Sequence, residues 1–294
     1  MIILTIPHLR KSISINSRIL ESVLKKCLNI TEIIVGKNGV QLYLINMNEV
    51  LQTITKYCHR LHRIAFNRRY CEVKDSTAIL FIHKFHREIR SIDFSQLYRN
   101  DYWKCLAKFS PNLLSLKVFR INHVFEDNQL IAKNLVKLKS LLITSEDMEL
   151  FKSLREQLAP KLTHLVLKIG LKTKEEEIRL LSGLSSFKRL KTLRLFFMFP
   201  KTPNVNHLIP CFETIAKNCQ ELSEFAFVYF GKCSSDDNCF DFLANFKSLR
   251  RLSIGRVFDN NNYSLNSLKN CHQLSYLAIG SQNIDLWKYW VNCS

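Results

Sequence analysis

Histidine and cysteine are the residues of this chain whose types and spacing come nearest to a reactive or metal-binding site. His59-x-x-His62 and His83-x-x-His86 each bring two imidazoles close in sequence, and Cys233 lies near Cys239. A zinc site needs four such ligands, usually two close pairs at a set spacing. None of these pairs has its second pair, so neither a metal nor another cofactor is expected. The chain also lacks a glycine-rich phosphate loop and a Gly-x-Ser-x-Gly nucleophile elbow. No Ser/His/Asp or Cys/His set is singled out. The expectation is a protein without catalytic residues, so its chemistry must be recognition. The elements that would present a recognition surface then become the question.

Those elements repeat. The spacing apolar-x-x-apolar-x-apolar recurs ten times, at Ile30/Ile33/Val35, Leu61/Ile64/Phe66, Ile89/Ile92/Phe94, Leu113/Leu116/Val118 and Leu138/Leu141/Ile143 in the first half. The second half continues with Leu162/Leu165/Leu167, Leu190/Leu193/Leu195, Leu222/Phe225/Phe227, Leu249/Leu252/Ile254 and Leu274/Leu277/Ile279. Successive motifs start 24 to 32 residues apart, averaging about 27, at the long end of the leucine-rich-repeat range. The last two apolar positions are two apart, so both point to one face of a short strand. The first sits in the turn before that strand. A unit of this kind cannot bury its apolar edge alone, and stacking its neighbours beside it makes a parallel sheet with a continuous core. Between the strands, apolar residues recur at three and four over 17–27, 48–58, 175–187, 211–219 and 239–246, which predicts helices packed on one side. Glu175, Glu176 and Glu177 place acid at a helix start, where the dipole favours it, and Asp236 and Asp237 do the same before Cys239. The predicted fold is α/β: a leucine-rich-repeat solenoid, a curved horseshoe with the sheet on its concave face and helices on its convex face.

A second regularity lies three residues before each motif. Cys27, Cys58, Cys219 and Cys271 occupy that position in four units, Phe187, Phe246 and Leu135 in three others, and His86 in one more. A slot that accepts Cys, Phe or Leu is a core position at a helix end, where a free thiol acts as a small hydrophobe.

Cys-x-x-Leu-x-x-Leu-x-Leu after a helix resembles the cysteine-containing repeats of F-box/leucine-rich-repeat proteins. CHQLSYLAI (271–279), CQELSEFAF (219–227), CHRLHRIAF (58–66) and CLNITEIIV (27–35) carry the likeness, which extends over about residues 9–294. The resemblance implies a substrate-recognition repeat region of a cullin-type ubiquitin ligase subunit, holding a protein substrate. The F-box of that family has a Leu-Pro start and a helical triplet, which this sequence lacks, since MIILTIPHLR runs directly into a strand-like segment. Engagement of a ligase adaptor is therefore implied only with an F-box upstream, and the sequence reads either as a fragment or as an orphan repeat protein.

In a solenoid of this type the residues between the apolar strand positions line the concave surface, the usual binding face. Arginine and aromatic side chains are common interface anchors. The predicted protein-binding residues are Arg63, Lys117, Phe119, His164, Lys168, Arg194, Phe196, Arg251 and Tyr276. Lys117, Lys168, Arg194 and Arg251 on one face would favour an acidic partner.

The formal net charge is +18, from 43 basic and 25 acidic residues. It is concentrated early: residues 1–120 carry 20 Lys/Arg against 8 Asp/Glu. A basic excess also fits a nucleic-acid partner, but no dense Lys/Arg cluster accompanies it. No apolar run reaches the roughly 18–20 residues of a membrane span, and the N-terminus lacks the features of a signal peptide. A cytoplasmic or nuclear protein with reduced thiols is expected, and the sequons at Asn29, Asn262 and Asn292 are then chance matches. No Pro/Gly/Ser-rich linker appears, so residues 1–294 are read as one domain of ten to eleven repeats. Residues 284–294, with Trp287 and Trp290, are read as a C-terminal cap.

Overall fold

A computed structural model describes residues 2–6, 17–35, 46–66, 73–94, 105–106, 108–118, 133–145, 148–170, 173–197, 206–228, 240–255 and 266–280. The chain forms two compact units, Met1–Leu138 and Lys139–Ser294.

In the first unit, β1 (Ile2–Ile6), β2 (Ile30–Val35), β3 (Arg63–Phe66), β4 (Ser91–Phe94) and β5 (Ser115–Val118) pair in chain order, every pair parallel. The helices between them include α1 (Ser17–Lys26), α2 (Met47–Tyr57) and α3 (Asp75–Phe85). Asn46 starts α2 because its side chain accepts from the backbone N–H groups of Asn48 and Glu49, which have no partner inside the helix. Met47, Val50, Leu51 and Ile54 then recur on one face of α2 and are buried. Ile33 pairs with Ile64, Ile64 with Ile92, and Ile92 with Leu116, and all four side chains are fully buried.

The second unit repeats the plan with β6 (Ser140–Ser145), β7 (His164–Ile169), β8 (Thr192–Phe197), β9 (Glu224–Val228), β10 (Arg251–Gly255) and β11 (Tyr276–Gly280). Its helices are α4 (Met148–Leu158), α5 (Lys174–Leu184) and α6 (Ile209–Asn218). Thr173 and Glu176 close a reciprocal capping box at the start of α5. The strands stack in register, Leu141 beside Leu165, then Leu193, Phe225, Leu252 and Leu277. Leu165, Leu193 and Leu252 are buried on the helix side. Each such leucine contributes about 1.5–3 kcal/mol of apolar burial, so the spine is the main stabilising feature. The leucine-rich-repeat architecture expected from the motif spacing is the observed one.

Two details differ from the predicted helices. The segment predicted helical over 239–246 forms a 3-10 turn, Asp241–Asn245, and a second such turn spans Asn266–Asn270. A single tight turn suffices here, because Phe242 and Leu243 enter the core directly and Phe242 stacks on Phe212 with ring centroids 4.8 Å apart. Glu177 does more than complement a helix dipole. It is buried against His207, within hydrogen-bond distance. Asp236 and Asp237 lie outside the described residues.

The slot before each motif is a core position in eight of the ten units. Cys58, Leu135, Phe187, Cys219, Phe246 and Cys271 are buried there, as are Ser110 and Ala159, while Cys27 and His86 are half-buried. The thiols also serve as weak donors. Cys219 Sγ lies 3.7 Å from the Leu184 carbonyl oxygen and 3.5 Å from that of Phe187, and Cys271 Sγ lies 3.4 Å from that of Leu243. Each reaches carbonyls in or just after the helical segment of the preceding unit, as a second donor beside the backbone N–H groups of Phe187, Leu190 and Phe246.

At the last strand the spine becomes exposed. Leu277 and Ile279 hold core positions beside Leu252 and Ile254, yet are 46% and 37% accessible. The cap predicted over 284–294, with Trp287 and Trp290, lies outside the described residues. Among the described residues no helix is long and apolar enough to cross a membrane.

Candidate functional site

The strand residues that alternate with the spine form the sheet face directed away from the helices. In the second unit this face has two fully described rows. The first runs Ser140, His164, Thr192, Glu224, Arg251, Tyr276 from β6 to β11. The second, two residues further along each strand, runs Leu142, Val166, Arg194, Ala226, Ser253, Ala278. Lys168, Phe196 and Val228 continue a third row.

Several of the predicted binding residues are engaged within the protein. Arg194 Nε donates to Glu224 Oε1 at 2.8 Å, a diagonal pair between neighbouring strands, and the arginine is only 6% exposed. Lys168 and Phe196 are buried as well. In the first unit Arg63 faces Glu32 at 3.7 Å, and Lys117 faces Asp93 at 3.5 Å, directly across neighbouring strands. Phe119 lies outside the described residues. Lys117 and Arg194, expected to favour an acidic partner, and the predicted binding residue Arg63 therefore have carboxylates of the chain itself beside them.

Arg251, Tyr276 and His164 are the predicted residues that remain accessible, and Glu224, the cross-strand neighbour of Arg251, is engaged by Arg194. Arg251 is exposed, and its guanidinium lies 4.7 Å from the centroid of the Tyr276 ring. Stacking of this type holds the planar fork in one orientation while leaving its donors free to meet a ligand. His164 is half-buried, with Nδ1 2.8 Å from Thr163 Oγ1. Burial holds its pKa below the usual histidine value. The Glu224 carboxylate opposes that shift, while Lys191 and Arg194 add to it. The imidazole is thereby biased toward its neutral form, able to donate from one nitrogen and accept at the other.

Four buried thiols are poorly disposed to form the nucleophilic thiolate. Burial pushes Cys58 and Cys219 up to about 11, and raises Cys105 and Cys271. His83 packs on Phe109 with ring centroids 4.4 Å apart, and His86 Nδ1 lies 2.7 Å from the His83 carbonyl oxygen. Among the described residues no group of three or more His, Cys, Asp or Glu side chains could hold a metal ion. Cys233 and Cys239 lie outside the described residues.

The alternation places Asp93 and Glu224 on the same face as the cations, but sequence reasoning did not pair them with Lys117 and Arg194 and did not single out Glu32. It also missed the exposed cations of the helix-to-strand turns, which recur within two residues of the first motif position.

No protein-family model matches the sequence, and a search of curated proteins found no match. Solved structures do match in fold. A chain of the Rad7 and Elc1 complex of yeast superposes with a TM-score of 0.53 at 15% identity, covering 86% of this chain and 69% of that one. An LRR protein of Leptospira interrogans matches at 12% identity and a TM-score of 0.37, covering 86% and 78% of the two chains.

Proposed function

We propose that this chain is a protein-interaction module that holds a protein substrate on the open strand face of its second unit, as the substrate-recognition repeat region of an F-box-type ubiquitin ligase subunit. The observation that carries the binding reading is the Arg251–Tyr276 stack, an exposed and oriented guanidinium on an aromatic ring at the face where the spine residues do not project. Arginine and tyrosine are the side chains that most often anchor protein interfaces. His164 and Glu224 add polar groups in the same row. Two considerations support the ligase role: the likeness of the Cys-x-x-Leu-x-x-Leu-x-Leu units to F-box/leucine-rich-repeat proteins, and a fold match to a structure that is itself a complex of two proteins.

The test compares capture of cellular proteins by the full chain and by its Arg251→Ala/Tyr276→Ala variant. A partner retained by the first and weakened about tenfold or more in the second is expected, since interface anchors each contribute on the order of 1–2 kcal/mol. Equal recovery by a folded variant would overturn the face assignment. The ligase role has its own measurement, the lifetime of the captured partner in cells lacking this chain. An unchanged lifetime removes that role and leaves the binding module.

A further inference from the structure

The helix-to-strand turns of the second unit form an edge quite different in charge from the strand face. The residues just before the strands form a backbone ladder across the unit. Thr163 N–H donates to the Lys139 carbonyl at 2.9 Å, Lys191 to Thr163 at 2.8 Å, and Ser223 to Lys191 at 3.0 Å. Arg250 then donates to Ser223 at 2.8 Å, and Ser275 to Arg250 at 2.9 Å. The order is cation, hydroxyl, cation, hydroxyl, cation, hydroxyl. The hydroxyls turn back onto the ladder: Thr163 Oγ1, Ser223 Oγ and Ser275 Oγ donate to the carbonyls of Lys139, Lys191 and Arg250. They fix the local backbone, and Lys139, Lys191 and Arg250 are exposed.

A second bank of cations lies beside this line. Lys161, Lys188, Arg189 and Lys247 stand one or two residues before the first leucine of their motifs, all exposed. The same turn positions contain a single carboxylate, Glu221. Among the described residues none of these seven cations forms an ion pair. This contrasts with Arg194, which lies on the strand face and is held by Glu224.

The spacing of the line selects among polyanions. Neighbouring strands lie about 4.8 Å apart, so cations on every second strand stand about 10 Å apart. A polypeptide in the polyproline II conformation returns to the same face every three residues, about 9.3 Å along its axis. Acidic residues at every third position of such a segment would meet Lys139, Lys191 and Arg250 in turn. Single-stranded nucleic acid is held mainly by stacking its bases on aromatic rings as well as by charge, and these turn positions carry no Phe, Tyr or Trp.

We infer that the helix-to-strand edge of the second unit is a docking surface for an extended acidic polypeptide segment with carboxylates at every third residue. This rests on the reading of the chain as a protein-interaction module. It moves the acidic contact from the strand face, where Arg194 is held by Glu224 and Lys168 is buried, to the edge, where the seven cations form no ion pair among the described residues.

The experiment uses the full chain and a fluorescent, proline-rich peptide of about 12 residues, spanning roughly 37 Å as polyproline II, with glutamate at every third position. Binding is followed by anisotropy at about 0.1 M salt, where charge is screened over about 10 Å. The Lys139→Gln/Lys191→Gln/Arg250→Gln variant is expected to weaken binding about tenfold, as three surface ion pairs would. A control lacking the exposed helix cations, Lys152→Gln/Arg179→Gln/Lys217→Gln, should stay within about twofold of the original. A peptide of the same composition with its glutamates clustered should bind more weakly. Equal losses in the two triple variants, or no preference between the peptides, would overturn the inference. Loss of peptide binding in Arg251→Ala/Tyr276→Ala, with none in the edge variant, would also overturn it while preserving the binding-module reading. Tighter binding of oligouridine than of the peptide, lost in the edge variant, would overturn both readings in favour of nucleic acid. Thermal unfolding of each variant confirms that the fold is intact.

Discussion

Glu177 of α5 and His207 of the 3-10 turn Asn206–Leu208 lie 3.1 Å apart, Oε2 to Nε2, with side chains 3% and 7% exposed. The pair sits on the helical side of the second unit, remote from the strand face in role. Burial raises the Glu177 pKa above the ordinary carboxylate value, and His207 pulls it back in part. The folded chain therefore holds this proton more tightly than the unfolded chain does. The associated stability is fully present below the ordinary glutamate pKa and is lost as pH rises through the raised value. Glu177→Gln keeps a side chain able to hydrogen-bond His207 and removes that titration. Its stability relative to the original chain should rise between about pH 4 and pH 7, measured by urea unfolding at both. A difference that is constant with pH would show that the carboxyl titrates alike in both states.

Gly183 inverts the usual helix rule. Replacing a glycine inside a helix with alanine ordinarily gains about 0.8–1 kcal/mol. Here a Cβ would stand 2.8 Å from Phe151 Cε1 and 3.3 Å from Arg155 Nη1. Phe151 is buried on α4, and the void it shares with Leu141, Leu165 and Phe187 is only about 10 Å³, too small to take a displaced ring. Gly183→Ala should therefore destabilise by about 1–2 kcal/mol, and Phe151→Leu in the same chain should recover part of that loss. Denaturant midpoints at constant slope are the measurement.

Ser110 occupies the core slot that four other units fill with cysteine. It is fully buried, and its hydroxyl has no hydrogen-bond partner. An unsatisfied buried hydroxyl costs about 1–3 kcal/mol, whereas a thiol in that slot is a small hydrophobe. Ser110→Cys should raise stability by about 1 kcal/mol. A loss of stability would mean the slot of this repeat differs in shape from those of Cys58 and Cys219.

The Arg194–Glu224 pair on the strand face should behave as a unit. Glu224→Ala leaves the guanidinium 6% exposed without its principal carboxylate and is expected to cost about 2–4 kcal/mol. Arg194→Leu/Glu224→Leu should cost much less, because both charges leave together. A double-mutant cycle by chemical denaturation tests this, and additive losses would contradict it.

The residue pattern by itself determined the repeat, because the physics of the repeat is local. The spacing of Leu162, Leu165 and Leu167 fixes which side chains share a strand face. The recurrence of that spacing requires neighbours to stack. The slot of Cys58, Cys219 and Cys271 was legible for the same reason, since its offset from the motif never changes. Register then decided what no single repeat contains. Arg194 meets Glu224 and Glu177 meets His207 across 30 positions of sequence in both cases, and only the alignment of adjacent turns sets which charges face each other. The same packing buries Lys168 and Phe196 and leaves Arg251 accessible, although all three follow the alternation of an open strand face. Periodicity assigns a side chain to a face, whereas exposure and charge pairing depend on what the neighbouring repeats bring beside it.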